Sequence, residues 1–304
     1  FEDEYTREPF QLAPDLLVVD ETIQPSKHLN AIASAFELHA DPEGFIQKEN
    51  VHRVGVFTNR RGIYAAGPAR GVPSSAVQQT DADDVSLVIV QQHRGSEKAN
   101  AQAAEIDPRQ CVRCLTCLRL CPYGAITLNT KPSVMPTACE GCGLCRAECP
   151  RQAIFLEPLE QANLIEQAGL GLEQGTVAPG NPRMVAFCCS RSAAQAGHMA
   201  TCMGQATPPN LSVVEVPCAG GISIRHILGA FEMGADGVLV LTCHTDNCHS
   251  EYGNQYAHAR VHQLQGTLQS IGLNAKRLLV RTLASNMGFE FAEIVNQFER
   301  ELKG

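Results

Sequence analysis

The sequence has no tryptophan, and aromatic residues make up only 5% of its 304 residues. Proteins that bind single-stranded nucleic acid stack bases on aromatic side chains, so a stacking platform of that kind is not expected. Basic residues are also in the minority, because 24 lysines and arginines stand against 32 aspartates and glutamates, for a net charge of −8. An acidic chain is a poor match for a phosphate backbone, and we therefore expect no nucleic-acid partner.

Long hydrophobic runs are scarce as well. The longest apolar stretches, LLVV at 16–19 and GVLVL at 237–241, are strand-sized and far from the roughly 20 residues of a membrane-spanning helix. No secretory signal or twin-arginine leader is recognisable, so we expect a cytoplasmic protein that reaches the inner face of a membrane only through partner subunits. The chain begins with Phe1 instead of methionine, which predicts that its first domain is incomplete.

What the sequence has in excess is cysteine, with 14 residues. Eight of them form two matched runs, Cys111-x2-Cys114-x2-Cys117-x3-Cys121-Pro122 and Cys139-x2-Cys142-x2-Cys145-x3-Cys149-Pro150. This is the ligand spacing of bacterial ferredoxins, in which the fourth cysteine of each run ligates the other cluster. A disulfide framework does not require such regular spacing, so we expect metal ligation in a reducing compartment.

The two runs therefore predict two [4Fe–4S] clusters. One is held by Cys111, Cys114, Cys117 and Cys149, and the other by Cys139, Cys142, Cys145 and Cys121. Pro122 and Pro150 fix the turn after each run, and Gly141 and Gly143 let backbone amides approach the cluster sulfides. Paired CxxC motifs also make four-cysteine zinc sites, which are the alternative, but two complete runs favour iron–sulfur clusters.

Four of the remaining six cysteines end or follow strand-like segments. These are Cys189, Cys218, Cys243 and Cys248. Because parallel strands bring their carboxyl ends to one edge of a sheet, we expect this set to meet there and to suit a [2Fe–2S] cluster or an all-cysteine zinc site. Cys188 is an alternative to Cys189, and Cys202 is expected to be a small buried residue.

Histidines beside this set allow two further interpretations. In a Rieske-type site, His244 and His249 would replace two cysteines, but four cysteines already suffice, so both are expected to support the loop. A catalytic Cys243 thiolate with His244 as its base is the less favoured interpretation. The other candidates are expected to be surface or packing residues: His198, His226, His258 and His262.

Strand-like and helix-like segments alternate over 183–304, which predicts an α/β domain with a parallel sheet. The strands are MVAFCC, SVVEVPC, GVLVLTC and RLLVRTLA, and the helices are ISIRHILGAFEMGA, HARVHQLQGTLQSIG and GFEFAEIVNQFEREL. An amphipathic helix at 159–175 and the Pro/Gly segment TVAPGNP at 176–182 precede this domain. Near the start of the chain, DLLVVD at 15–20 predicts a strand, 54–71 predicts strand, turn, strand and Gly-rich loop, and 74–95 predicts a helix capped by Ser74 or Ser75.

The segment PCAGGISIRHILGAFEMGADGVLVLTCHTDNCHSEYGN resembles the delta subunit (MvhD type) of methyl-viologen-reducing hydrogenase, in its strand-end cysteine, its AFExGADGVLV run and its CHxxxCH loop. The resemblance extends over roughly 183–304. It implies a cysteine-held [2Fe–2S] cluster and points to the set Cys189, Cys218, Cys243 and Cys248. Ser192 stands where the family's opening CxxC pair would place a second cysteine, and Cys188 is a substitute for Cys189.

The segment EGFIQKENVHRVGVFTNRRGIYAAGPARG at 43–71 is similar to the end of the flavin domain in the A-type subunit of heterodisulfide reductase. There a G-I-[YF]-x-A-G strand and loop reaches the flavin, which implies FAD binding through Gly62, Ala66, Gly67 and Pro68. That family's nucleotide-binding GxGxxG is absent from the sequence, so FAD is expected only together with the rest of a flavin domain. A plain strand and turn is the alternative.

Together these features predict a multidomain α/β protein. It consists of a partial flavin-binding α/β domain (1–104), a double [4Fe–4S] ferredoxin module of α+β type (105–157), a helix and linker (158–182) and an α/β parallel-sheet domain of MvhD type (183–304). This order is similar to QmoB, a subunit of the quinone-interacting membrane-bound oxidoreductase of sulfate reducers, and to fused heterodisulfide reductase/hydrogenase subunits.

The resemblance implies an electron-transfer subunit of an anaerobic oxidoreductase complex, QmoB-like by preference, with substrate chemistry on partner subunits. The implied partners are a second flavin/iron–sulfur subunit and either a membrane haem subunit or a hydrogenase. One alternative is a subunit of a flavin-bifurcating heterodisulfide reductase/hydrogenase complex. An alternative from another class is a zinc-binding structural scaffold.

Overall fold

The computed structural model describes residues 9, 15–16, 23–46, 55–60, 62–71, 73–94, 103–174, 180–244 and 247–304. Two helices lie in the first hundred residues, α1 (Lys27–Phe36) and α2 (Ser75–Arg94). The predicted helix at 74–95 is therefore present. Its cap is Ser74, whose Oγ accepts a hydrogen bond from the Val77 amide at 3.4 Å.

The strand–turn–strand predicted for 54–71 is reduced, among the described residues, to a single antiparallel bridge between Phe57 and Tyr64. The hydroxyl of Thr58 donates to the carbonyls of Arg60 and Ile63, and such local bonds compete with a strand ladder. A short 3-10 turn, Gly67–Arg70, follows. The strand predicted at 15–20 lies mostly outside the described residues, and the flavin-type domain stays a prediction.

The ferredoxin module has the α+β form that its repeat predicts, with two small antiparallel ribbons and one short helix that contains the third cysteine of each run. Its elements are β1 (Glu105–Ile106), α3 (Thr116–Leu120), β2 (Ile126–Leu128), β3 (Pro132–Val134), α4 (Leu144–Ala147) and β4 (Ile154–Phe155). β1 pairs with β4, and β2 pairs with β3.

A parallel sheet forms the centre of the C-terminal domain, which confirms the predicted α/β architecture. The elements from the connecting helix onward are α5 (Gln161–Gln174), β5 (Met184–Cys189), α6 (Ala193–Cys202), β6 (Leu211–Val216), α7 (Ile224–Glu232), β7 (Gly237–Cys243), α8 (Gly253–Ser270), β8 (Leu278–Leu283) and α9 (Gly288–Lys303). The strand order is β6-β5-β7-β8, and every pair is parallel.

Helices cover both faces of this sheet. Residues of α6 and α9 pack on one face, and residues of α5, α7 and α8 pack on the other. Both central strands are buried throughout, which is why they read as continuous apolar runs. Alternation along β5 sends Cys188 to the α6/α9 face and Cys189 to the opposite face.

Helix α6 was not predicted from the sequence. Its buried face is built from Ala193, Ala194, Ala196 and Ala200, so its apolar periodicity is faint. The small residues let α6 approach α9 closely, and the Phe291 ring packs against the position of Gly197.

The ferredoxin module and the C-terminal domain share one hydrophobic core. Leu156 and Leu159, which follow β4, are fully buried in the same cluster as Val185 and Phe187 of β5. The two parts are therefore packed against each other instead of joined only by a tether. None of the helices in the described part of the chain is long and apolar enough to cross a membrane.

Candidate metal centres

The first cysteine set brings together residues of both runs. Cys111, Cys114 and Cys117, from the first run, line one small cavity with Cys149 of the second run. Burial raises the pKa of the Cys117 thiol, and the charges of Cys111, Cys114 and Cys149 raise it further. Four thiols this close ionise together only if a positive charge joins them.

The second cysteine set has the complementary composition, three cysteines of the second run and one of the first. Cys139, Cys142 and Cys145 line another cavity with Cys121 of the first run. Burial raises the pKa of Cys145 to about 12, and the charges of Cys139 and Cys121 contribute in the same direction. Both groupings have the crossed composition that the ferredoxin spacing predicts, although the ligand assignment itself stays a prediction.

The donor chemistry of both sets fits iron–sulfur clusters. Ligation requires thiolates, and bound iron supplies the positive charge that offsets the burial and mutual repulsion of these thiols. All-cysteine zinc sites use the same thiolate donors, so donor chemistry alone leaves zinc as the alternative that metal analysis tests.

The third cysteine set lies at the carboxyl edge of the parallel sheet. The Sγ atoms of Cys189, at the end of β5, and Cys243, at the end of β7, are 3.3 Å apart. These strands are neighbours in the sheet, and the chain leaves them in opposite directions, which makes this the topological switch point where ligands of such folds bind. A hydrogen bond to Cys218, aided by burial, raises the pKa of Cys248 to about 12.

Cys188 is separated from this set by the sheet. Its side chain is completely buried among residues of α6 and α9, where burial strongly raises its pKa. Ser192, at the position of the missing second cysteine, is buried beside Cys189 and Cys243. Of the two candidates for the fourth ligand, the structure therefore places Cys189 with the other three.

Several other sequence expectations have different outcomes. Cys202, the last residue of α6, is exposed, so the expectation that it is buried was wrong; it lies off the helix face that Ala196 and Ala200 bury. His244 is exposed, and the ring of His249 lies 6.0 Å from the Tyr123 ring. The Nε2 atom of His249 lies 3.9 Å from a carboxylate oxygen of Glu140.

The second and third cysteine sets meet at a close backbone contact. A Cβ added at Gly221, in the turn after Cys218, would lie 2.8 Å from the Cys142 carbonyl oxygen and 3.3 Å from the Cα of Gly143. Any side chain there would push the two loops apart. Gly221 and Gly143 thus allow the ligand loops of two candidate clusters to touch.

Tyr123 bridges the same two sets. Its hydroxyl donates to the His249 carbonyl at 3.0 Å and lies 3.1 Å from Ser250 Oγ, in the loop that follows Cys248. Burial raises the pKa of Tyr123, and the nearby charges of Cys142 and Cys218 act in the same direction. The phenol is therefore a neutral hydrogen-bond donor between the ferredoxin module and the C-terminal domain.

Charged residues complete this contact. Arg260, from α8, is buried and donates to the carbonyls of Gly220 and Ile222 and to the carboxylate of Glu148. Glu148 precedes Cys149, so Arg260 ties a ferredoxin ligand loop to the turn after Cys218.

His226 is the functional neighbour that sequence reasoning missed, since it was expected to be an ordinary histidine. It is completely buried, and its Nδ1 accepts from the Ser223 amide at 3.1 Å, closing a capping box at the start of α7. Its Nε2 lies 3.3 Å from Arg146, which also pairs with Glu160 at 3.2 Å. The Ser-x-x-His spacing was the available signal.

Three of the four residues implied for FAD are exposed, and the fourth is buried. Gly62 and Ala66 are exposed, whereas Gly67 is buried and donates its amide to Asp81 Oδ2 at 2.8 Å. That amide is therefore engaged within the chain. Pro68 is exposed beside it. The turn can present a surface to a flavin but offers it no strong donor at Gly67.

Comparison with known proteins gives matches to both cysteine-bearing parts. The family described as 4Fe-4S dicluster domain matches residues 103–150, and the family described as methyl-viologen-reducing hydrogenase, delta subunit, matches residues 184–304. The D-type iron–sulfur subunit of an F420-non-reducing hydrogenase from Archaeoglobus profundus is 33% identical over 122 residues, which cover 40% of this chain and 89% of that protein.

A longer match extends over almost the whole chain. The A-type subunit of the ferredoxin:CoB-CoM heterodisulfide reductase of Methanosarcina mazei is 29% identical over 293 residues, which are 96% of this chain and 37% of that protein. The chain thus spans little more than a third of that relative's length. It belongs to the iron–sulfur proteins that are similar to the A-type subunit of heterodisulfide reductase and carry a C-terminal domain of the methyl-viologen-reducing hydrogenase delta-subunit family.

Proposed function

We propose that this chain is an electron-transfer subunit of a heterodisulfide reductase- or hydrogenase-type complex. The observation that carries the proposal is the contact between the second and third cysteine sets, where Cys142 and Gly143 touch the turn of Gly221. Iron–sulfur clusters, when bound, supply one-electron transfer. The chain's own part is to hold its three cysteine sets in sequence and to exclude water from the junction between the inner two.

The proposed ligands follow from the three sets. The two [4Fe–4S] clusters take the crossed ferredoxin sets, and a [2Fe–2S] cluster takes Cys189, Cys218, Cys243 and Cys248. We assign no acid, base or nucleophile, because twelve of the 14 cysteines belong to these sets. Substrate chemistry would therefore occur on partner subunits, in a reducing cytoplasmic compartment.

Metal analysis of anaerobically prepared protein tests this proposal. We expect roughly ten irons and as many sulfides per chain, from two four-iron clusters and one two-iron cluster. Cys243→Ser and Cys248→Ser should each remove the signal of the C-terminal cluster from the electron paramagnetic resonance spectrum and leave the ferredoxin signals in place. Zinc with little iron would contradict the proposal and favour a structural scaffold.

Cys188→Ser is the matched control for the C-terminal site. The residue is adjacent to Cys189 in sequence and equally buried, but it lies on the other face of the sheet. Its replacement should leave iron content and all signals unchanged, whereas Cys189→Ser should abolish the C-terminal signal. The reverse outcome would reassign the ligand.

We also propose FAD binding, and its support is that residues 43–71 resemble the end of the flavin domain in the A-type subunit of heterodisulfide reductase. Gly62, Ala66 and Pro68 would supply the exposed surface of the site, together with the rest of a flavin domain. Co-purification of FAD with the native complex, and its loss on Ala66→Arg, is the expected result. A native complex free of flavin would refute it.

The kind of complex is a finer proposal. A QmoB-like place in sulfate reduction predicts co-purification with a haem-carrying membrane subunit, whereas the match to the A-type subunit of a heterodisulfide reductase favours a reductase or hydrogenase partner. A flavin-bifurcating role additionally requires crossed flavin potentials. A stable semiquinone in a redox titration of the native complex would count against bifurcation.

A further inference from the structure

Five basic side chains surround the first cysteine set. They are Arg119, Lys131 and Arg151, which contact or line the set, and Arg109 and Arg113, which are its neighbours in sequence; we call these five the basic rim. Residues 108–122 contain three of them and no acidic residue, although the chain as a whole carries a net charge of −8. The rim is therefore a local reversal of the charge of the protein.

Contacts fix the rim to the first cysteine set. Arg119 donates to the Cys114 carbonyl at 3.4 Å, and the Lys131 ammonium donates to the Cys111 carbonyl at 3.1 Å. Arg151 lines the cavity that the four thiols share. Asp107, 3.4 Å from Arg109, offsets part of this charge, but the Arg109 side chain is still 90% exposed.

The rim encloses the point where the first set reaches solvent. Cys114 is exposed, whereas the other seven ferredoxin cysteines are buried or half-buried. Val112, between Cys111 and Arg113, is 59% exposed and supplies a small apolar contact at the centre. The second set has no comparable opening on its Gly143 side, because the C-terminal domain covers it there.

We propose that the basic rim docks an acidic face of a redox partner protein over Cys114. This rests on the proposed electron-transfer function. A partner with acidic groups is repelled by the net charge of this chain and attracted at the rim, so charge both speeds the encounter and orients it. The arrangement fits a protein better than a bilayer, because a membrane surface helix inserts larger apolar side chains than Val112.

The test measures binding, with a small acidic two-[4Fe–4S] ferredoxin as the probe, by anaerobic calorimetry of the iron-loaded chain with both proteins oxidised. The Arg109→Glu/Arg113→Glu variant should weaken binding by about tenfold or more at low salt. Raising the ionic strength from about 0.05 to 0.3 M should weaken the wild-type complex strongly and the variant complex little.

The matched control is Lys276→Glu/Arg300→Glu, which makes the same change in net charge at exposed residues of the C-terminal domain, away from the sheet edge that bears the cysteines. It should change the dissociation constant less than about twofold. Equal weakening by both variants, or an absence of binding to the wild-type chain, would overturn the proposal.

Two further measurements keep the outcomes distinct. If the glutamate variant loses iron, the Arg109→Gln/Arg113→Gln variant, which removes charge without reversing it, repeats the test. Rim-dependent binding to phosphatidylglycerol vesicles without affinity for the ferredoxin would replace the protein partner with a membrane surface. Iron content is measured on the same samples: a wild-type chain without clusters contradicts the proposed function, whereas a loaded chain that fails to bind contradicts only the docking site.

Discussion

The two cysteine runs have the same spacing but different surroundings. Their backbones are alike, since Arg113 and Leu115 of the first run have φ values of 57° and 60°, and the equivalent Gly141 and Gly143 of the second have 65° and 78°. The first run faces solvent through Val112, whereas the equivalent Glu140 is buried. We call the first run, 111–122, the outward half of the repeat and the second run, 139–150, the inward half.

This comparison shows what the glycines of the second run are for. A left-handed backbone favours glycine, yet the first run adopts the same conformation with an arginine and a leucine. Conformation alone therefore does not require Gly143. Glycine is required at position 143 because Leu159 and Gly221 approach it closely, and a Cβ there would overlap Leu159.

The largest loss of stability is expected when Gly143 of the second run is replaced by leucine, the residue at the equivalent position 115 of the first run. Gly143→Leu places a side chain where Leu159 and Gly221 already lie, so we expect a loss of roughly 3 kcal/mol or more in the free energy of unfolding. The signal of the C-terminal cluster should weaken as well, since the turn after Cys218 is displaced. Urea unfolding of the iron-loaded chain, followed with paramagnetic resonance, measures both.

Leu115→Gly is the reciprocal control. Leu115 has a left-handed backbone, which glycine adopts without strain, and it lies in the run that faces solvent. The loss in the free energy of unfolding should therefore be about 1 kcal/mol or less. Similar losses in the two variants would mean that the backbone conformation, and not the contact with the C-terminal domain, explains Gly143.

A smaller effect is expected from the buried imidazole that faces the inward half. Burial, aided by the charge of Arg146, lowers the pKa of His226 to about 4, below its usual 6.5. The unfolded chain then binds more protons than the folded chain below pH 6.5, so stability is full above that pH and falls as the pH drops toward 4. We expect a loss of about 2 kcal/mol between pH 8 and pH 5.

His226→Gln should remove this part of the pH dependence. Glutamine keeps an acceptor for the Ser223 amide at the third helical position but cannot be protonated. His198→Gln, at an exposed position of α6, is the control and should leave this part of the pH dependence in place. A profile that does not differ between wild type and His226→Gln would contradict the role of this group.

The sequence predicted a good part of this arrangement. Ligand spacing predicted the crossed ferredoxin sets, and strand patterning predicted the parallel sheet with Cys189 and Cys243 at one edge. These features are local or follow from general rules of topology. The sequence did not decide which of the adjacent residues Cys188 and Cys189 faces the other cysteines. The register of β5 in the structure decides it, because it places Cys188 on the α6/α9 face.

The inward and outward halves, in contrast, were not predictable. Which half of a symmetric repeat is covered depends on long-range packing, through Arg260 on Glu148 and Leu159 on the Gly143 loop. His226 and helix α6 were missed for a related reason. The fold places Arg146 3.3 Å from the His226 imidazole, a contact between residues distant in sequence. The buried face of the alanine-rich helix α6 is recognisable only from its packing against α9.

The smallest effect is expected at the residue after each Cys-Pro pair, which is Tyr123 in one half and the exposed Arg151 in the other. Tyr123→Phe removes a hydrogen bond to the His249 carbonyl and a contact with Ser250 Oγ, and should cost about 1 kcal/mol of unfolding free energy. Because the hydroxyl joins the second and third cysteine sets, the reduction potential of the C-terminal cluster should also shift, whereas a merely structural role would leave it unmoved. Arg151→Ala should change neither quantity, and equal responses of the two variants would show that Tyr123 does not couple the halves.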